Sequence, residues 1–136
     1  NLIEIGSWEV MTTGQDVLIL AVGSMVSRST DIVERLKEKN IQAEVINCRF
    51  IKPMDLEYLN NNLSRFSKIV TIEEGVLDGG FGEGVTAWSS GKNLKNEILN
   101  IGLPNDFVDH GPRNVLLEEV GLDSSSLYEK IIQFIK

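Results

Sequence analysis

The sequence predicts a three-layer α/β/α sandwich built on a mostly parallel sheet, with an antiparallel edge strand. Three observations carry this. Asp16 to Val22 is an unbroken apolar run rich in branched residues, the pattern of a strand covered on both faces. From Met25 the apolar period changes to that of a helix. Ala43 to Cys48 then supplies a second short strand, so strand, helix and strand form one right-handed crossover unit.

The segment before the first strong strand, Ile5 to Met11, alternates only loosely and is set apart by Thr13-Gly14-Gln15, which reads as the edge strand. Gly23-Ser24 ends the apolar run. Met25, Ser29, Ile32 and Leu36 then share one stripe of a helix that stops near Asn40. Pro53 breaks the chain, and Asp55 can cap a short helix whose buried face is Leu56, Leu59 and Leu63. Lys68 to Ile72 reads as a third parallel strand running into Glu73-Glu74. A glycine-dense loop, Gly75 to Gly84, leads to a helix carrying Val85 and Trp88 that fades at Ser90-Gly91. Ile98 to Gly102 is the next strand. Pro112 opens a helix with Val115, Leu116 and Val120, and Ser124 caps a last one that buries Leu127, Ile131, Ile132 and Ile135. No internal repeat or long linker divides the chain, so residues 1–136 are expected to form one domain.

With 136 residues, 42% of them hydrophobic and only three prolines, the chain can bury a core and is not a disordered or low-complexity polypeptide. Thirteen basic against twenty acidic residues leave a net charge of -7, which repels nucleic acid and anionic membranes alike. Neither is an expected partner. Cys48 is the only cysteine, which excludes an intrachain disulfide and a four-cysteine metal site and fits a reducing compartment. The longest apolar stretch, Val17 to Val22, falls far short of the ~20 residues of a membrane-spanning helix.

In a sheet of this type ligands bind at the carboxyl ends of the strands, so candidate chemistry belongs to the loops that follow them. Gly23 to Arg28 offers a glycine turn, hydroxyls and an arginine that together could hold an anion, although serine-rich helix starts are more often caps. Gly82-x-Gly84 imitates a dinucleotide fingerprint, but Glu73 and Glu74 precede it, and two carboxylates at that turn oppose a pyrophosphate. The favoured reading there is a loop with positive φ at several glycines and Phe81 turned inward. Glu73 and Glu74, adjacent on an extended chain, point to opposite sides and cannot act on one substrate as an acid and base pair. The Asp109-His110 turn holds the only histidine, with no nucleophilic partner evident, so a local or interdomain contact is the expected role. Cys48, Trp8 and Trp88 read as packing residues. Thiamine diphosphate enzymes open their diphosphate motif with Gly-Asp-Gly, and this sequence contains none. On its own residues the chain looks unequipped for catalysis.

Taken in order, Val22 to Val26, Arg49 to Asp55, Thr71 to Glu74 with Gly79 to Gly82, and Gly102 to Gly111 through Gly121-Leu122-Asp123 make a further pattern. It resembles the C-terminal domain of the 1-deoxy-D-xylulose-5-phosphate synthase family, within the wider transketolase C-terminal group, over nearly the whole chain. The Leu103-Pro104-x-x-Phe107 stretch with its His-Gly and Gly-Leu-Asp sequel carries the narrower match. Gly75 and Asn105 depart from it, standing where an asparagine and an aspartate are common. The resemblance implies an enzyme that joins pyruvate to glyceraldehyde 3-phosphate with loss of carbon dioxide, for isoprenoid and thiamine synthesis. It further implies thiamine diphosphate and magnesium bound on other domains, a homodimer, and a bacterial cytoplasmic or plastid-type location. This chain would then be the third domain, a non-catalytic, dimer-supporting scaffold that binds no cofactor itself and is inactive alone. Its contacts with other domains of the synthase are expected at Glu73, Glu74, Gly79, Gly80, Phe81, Asp109 and His110. Two alternatives stand beside this: a nucleotide- or anion-binding regulatory module using Gly23 to Arg28, and the corresponding domain of a 2-oxoacid dehydrogenase β subunit.

Overall fold

The computed structural model describes residues 6–104 and 119–136. In chain order the elements are β1 (Glu9–Thr12), β2 (Val17–Ala21), α1 (Met25–Lys37), β3 (Ala43–Asn47), α2 (Leu56–Asn62) with a 3-10 turn (Leu63–Arg65), β4 (Lys68–Val76), α3 (Phe81–Gly91), β5 (Glu97–Leu103) and α4 (Ser124–Ile135). The five strands form one sheet in the order β1-β3-β2-β4-β5. All neighbours are parallel except β1, which pairs with β3 in the antiparallel sense, as the weak opening pattern predicts. The edge strand starts later than the sequence suggests, at Glu9 rather than Ile5.

β2 explains the layering. Its side chains alternate between two cores, because successive residues of a strand face opposite ways. Val17, Ile19 and Ala21 join Met25, Ile32 and Leu36 of α1 and Leu127 and Ile131 of α4 on one face. Leu18 and Leu20 join Leu59 of α2, Phe81 and Val85 of α3, and Trp8 on the other. Every residue of β2 is fully buried, which is why this segment shows no polar alternation. The predicted stripe of α1 is the buried one, Ser29 included: its hydroxyl donates to the Met25 carbonyl, 2.7 Å away, and so enters the core satisfied.

Four further details differ from the sequence reading. β4 runs on through Glu73, Glu74 and Gly75 to Val76 instead of stopping at Ile72. α3 begins at Phe81, so Gly82 and Gly84 are helical rather than loop residues, and of the glycines from 75 to 84 only Gly79 has a positive φ, +71°. Leu56 is exposed, not buried, because it is the first residue of α2 and lines a surface groove beside Gly6, Ser7 and Pro53. Finally, Asp123 and not Ser124 caps α4, accepting from the Ser126 amide at 3.2 Å and the Ser126 hydroxyl at 2.6 Å. The helix expected from Pro112 lies largely outside the described residues; Val120, at its predicted end, packs against the α1 and α4 core.

The Ser126 hydroxyl bond, with help from the Ser126 amide, holds the Asp123 carboxyl below its ordinary value against a small cost of burial. Asp123→Ala is expected to cost about 1 kcal/mol, the typical value of a lost cap. A carboxylate whose folded value is depressed stabilises above its unfolded value and loses that contribution as pH falls through the folded one. Urea titrations of the two proteins should therefore differ at neutral pH and converge in acid below the ordinary carboxylate range.

Candidate functional site at the carboxyl ends of the strands

β4 delivers Glu73 and Glu74 to the carboxyl end of the sheet on opposite faces, as alternation requires. Glu73 is turned inward and only 5% exposed, while Glu74 is half-buried. The Glu73 carboxylate accepts the backbone N–H of Phe81 at 3.0 Å and of Gly82 at 2.8 Å. These are two of the first amides of α3, which have no partner within the helix and lie at its positive end. The chain thus supplies its own anion where a dinucleotide fingerprint would hold a phosphate. The glycines around it make the approach possible. A Cβ on Gly80 would fall 2.5 Å from Glu73 Oε1, and one on Gly102 3.1 Å from Glu73 Cγ. A Cβ on Gly82 would fall 2.5 Å from Thr71 Oγ1 and 2.7 Å from Asn100 Oδ1. Thr71 donates to Asn100, which in turn donates to Thr86 of α3, tying the helix to β4 and β5.

Of the sequence-predicted contact residues, Glu73 and Phe81 face inward and fix the loop; Gly79 is exposed, and Glu74 and Gly80 are partly so. Asp109 and His110 lie outside the described residues. Gly79 donates to the Glu83 carboxylate at 3.0 Å, which closes the turn into α3.

A second loop meets this one through side chains that sequence reasoning treats only as packing. The Trp8 ring lies 5.9 Å from that of Phe81, edge to face, and 5.9 Å from that of Tyr58. Its backbone N–H donates to Asp55 at 2.9 Å, and its indole N–H donates to the Phe50 carbonyl at 2.8 Å. Asp55 caps α2 with its other oxygen, bound to the Tyr58 amide at 2.9 Å, so the predicted cap also ties down the entering chain. Gly84 of α3 faces Met54, where an added Cβ would come to 3.7 Å from Sδ, an ordinary contact distance. Separations of 42 and 47 residues make these bonds invisible to local pattern.

The serine-rich start of α1 behaves differently from the expected cap. Ser24 makes no capping bond, and the Ser27 and Thr30 hydroxyls donate to the carbonyls of Ser24 and Ser27. The Met25 and Val26 amides donate to the Val22 and Gly23 carbonyls, so both are already engaged. The buried Arg28 Nε has no hydrogen-bond partner among the described residues. At the opposite, amino end of the sheet, Glu44 is buried in the wall of a depression of about 800 Å³. It accepts from Tyr58 Oη at 2.8 Å, Arg65 at 2.9 Å and the Gly14 amide at 3.3 Å, a satisfied network. Burial, then the bond to Glu44, pushes the Tyr58 phenol well above its ordinary range, so it stays protonated.

Cys48 is buried, and burial raises its thiol well above the usual range. Alkylation by iodoacetamide should be undetectable in the native protein and complete in denaturant. Among the described residues no three His, Cys, Asp or Glu side chains are grouped to hold a metal ion, and no helix is long and apolar enough to cross a membrane.

Fold and site together define a three-layer α/β domain with an antiparallel edge strand and a carboxylate-locked corner between β4 and α3. The family model of the transketolase C-terminal domain matches residues 6–127, and the chain belongs to that family. It is 34% identical over 134 residues to the 1-deoxy-D-xylulose-5-phosphate synthase of Aquifex aeolicus, covering 98% of this chain and 21% of that protein. It is 38% identical over 130 residues to the synthase of a Geobacillus species, covering 95% and 21%. The chain therefore spans about a fifth of the length of these bacterial relatives, the 21% just given. Among solved structures, a split-gene transketolase described as an inactive β4 tetramer superposes with a TM-score of 0.87 at 27% identity, over 98% of this chain and 43% of that one. A mutant transketolase of Pichia stipitis superposes at 0.69 with 18% identity, over 96% and 18%, which shows the shared fold alone.

Proposed function

We propose that this chain is the C-terminal domain of a 1-deoxy-D-xylulose-5-phosphate synthase, acting in a bacterial cytoplasm as a scaffold that supports the homodimer without doing chemistry itself. The observation that carries this is the near-complete match of the chain to only a fifth of each synthase, 95–98% against 21%. The whole enzyme would condense pyruvate with glyceraldehyde 3-phosphate, releasing carbon dioxide, on thiamine diphosphate and magnesium. The start of α3 does not fit the diphosphate of that cofactor. At α3, the helix start that resembles a phosphate seat, two amides already hold the Glu73 carboxylate, and the buried carboxylate would repel a diphosphate. The Glu73 to Phe81 loop, and the Asp109-His110 turn, are the segments this reading assigns to contact with neighbouring domains. Single-domain character over residues 1–136 belongs to the same reading.

Turnover tests it. The polypeptide encoded by the complete gene that carries this sequence should consume pyruvate in the presence of glyceraldehyde 3-phosphate, thiamine diphosphate and magnesium, while the 136-residue chain should match a no-protein control. Turnover by the chain alone would overturn the scaffold reading, and none by the complete product would overturn the assignment.

A further inference from the structure

We infer that Asp78 is the chain's site of spontaneous isoaspartate formation and that Glu83 guards it in the folded state. Isoaspartate forms when the amide nitrogen that follows an aspartate attacks the side-chain carboxyl. Glycine leaves that nitrogen unhindered, because it carries no Cβ. Asp78-Gly79 is the one Asp-Gly pair in the sequence, which contains no Asn-Gly. Both residues are exposed, on the turn between β4 and α3, so water reaches them. In the reaction the Gly79 nitrogen bonds to Asp78 Cγ, its proton passes to solvent and the carboxyl hydroxyl leaves as water. Water then opens the five-membered imide at either carbonyl. One opening restores aspartate; the other leaves the main chain running through Cβ and Cγ of Asp78, one carbon longer.

The folded turn opposes the first step. The Gly80 amide donates to the Leu77 carbonyl at 3.1 Å, Gly79 has a φ of +71° and the φ of Asp78 is not positive, which together make residues 77–80 a type II turn. Asp78 in such a turn has a ψ of about +120°. Closing the imide requires Cβ and the Gly79 nitrogen to eclipse about the Cα–C bond, a rotation of about 120° from there. That rotation swings the peptide between Asp78 and Gly79, and its N–H is the one that donates to the Glu83 carboxylate at 3.0 Å. Glu83 is itself held in place, because it belongs to the first turn of α3, whose opening amides are bound by Glu73. The nucleophile is thus tied to a helix as well as to its own turn. Escape would damage the fold. Gly80 sits so close that a Cβ there would fall 2.5 Å from both Glu73 Oε1 and the Val76 carbonyl oxygen, and a main chain lengthened just before it displaces that packing.

Incubation of the 136-residue chain in heavy-oxygen water tests the inference, since each passage through the imide leaves one solvent oxygen behind. Trypsin releases residues 69–92 as one peptide in which Asp78 is the only aspartate and asparagine is absent, so label and isoaspartate found there report on Asp78 alone. The folded parent should take up label more slowly than the same chain in denaturant. Glu83→Ala should label about tenfold faster than the folded parent, the change that one lost hydrogen bond makes to an opening equilibrium. Glu83→Gln, whose amide oxygen still accepts from Gly79, should fall between them. Glu57→Ala, which removes an exposed acid from the first turn of α2, should leave the rate unchanged. Melting curves establish that each variant is folded, and if Glu83→Ala is not, Glu83→Gln must still exceed the parent. Labelling of Glu83→Ala at the parent's rate would overturn the guard, and slower labelling would do so by making Glu83 a base that promotes the attack. A parent that labels as fast folded as unfolded would overturn it too, and no label even in denaturant would remove Asp78 as the site.

Discussion

Glu73→Ala is expected to destabilise the chain by about 3–5 kcal/mol, the range for removing one partner of a buried charged interaction. The carboxylate is 5% exposed and serves two amides, those of Phe81 and Gly82, both of them buried residues. Its removal leaves both donors without partner and takes negative charge from the positive end of α3. Water cannot easily substitute, because Gly80 packs against the carboxylate and Gly102 against the Glu73 Cγ. Glu73→Gln should cost less, about 2 kcal/mol, since one amide oxygen can still accept while the NH2 group confronts the second N–H. Urea denaturation at neutral pH measures both. A Glu73→Ala protein as stable as the parent would mean that the helix start is held by something else.

Gly80→Ala is the second large effect, at about 3 kcal/mol, the upper part of the range for overpacking. The φ of Gly80 is -87°, which any residue adopts, so the cost is steric. An added Cβ would lie 2.5 Å from Glu73 Oε1 and 2.5 Å from the Val76 carbonyl oxygen. The second of these is backbone, which cannot swing aside, and the first displaces the carboxylate from α3. Gly91→Ala is the internal control. Gly91 ends the same helix with nothing within 4 Å of the added carbon, and alanine there should stabilise by up to about 1 kcal/mol. If the two alanine variants unfolded at the same denaturant concentration, the crowding at Gly80 would not exist.

The central sheet was legible because its signal is local. Five consecutive buried aliphatic residues in β2, a short run with branched side chains closed by Gly23, read as a strand with a layer on each side, and the α1 stripe at Met25, Ser29, Ile32 and Leu36 names the face it buries. Leu56 misleads because spacing alone places it with Leu59 and Leu63, whereas a first helical residue can overhang what the rest of the helix covers. Gly75 to Gly84 reads as loop because each helical glycine costs about 1 kcal/mol relative to alanine. Tertiary contacts reverse that preference: Glu73 satisfies the first amides, and only a residue without a side chain fits at Gly82 against Thr71 and Asn100. Alternation did place Glu73 and Glu74 on opposite sides. It gave no sign that the inward one is spent on α3, because the partners lie eight and nine residues away in the next element. Asp55 was legible as a cap and not as the anchor of Trp8, for the same reason at greater distance.

Isothermal titration of the 136-residue chain with thiamine diphosphate and excess magnesium tests most directly the proposal that this chain holds no coenzyme seat. With Glu73 occupying the start of α3, the expected result is heat indistinguishable from dilution up to millimolar ligand. A saturable one-to-one isotherm that Glu73→Gln alters would contradict the account.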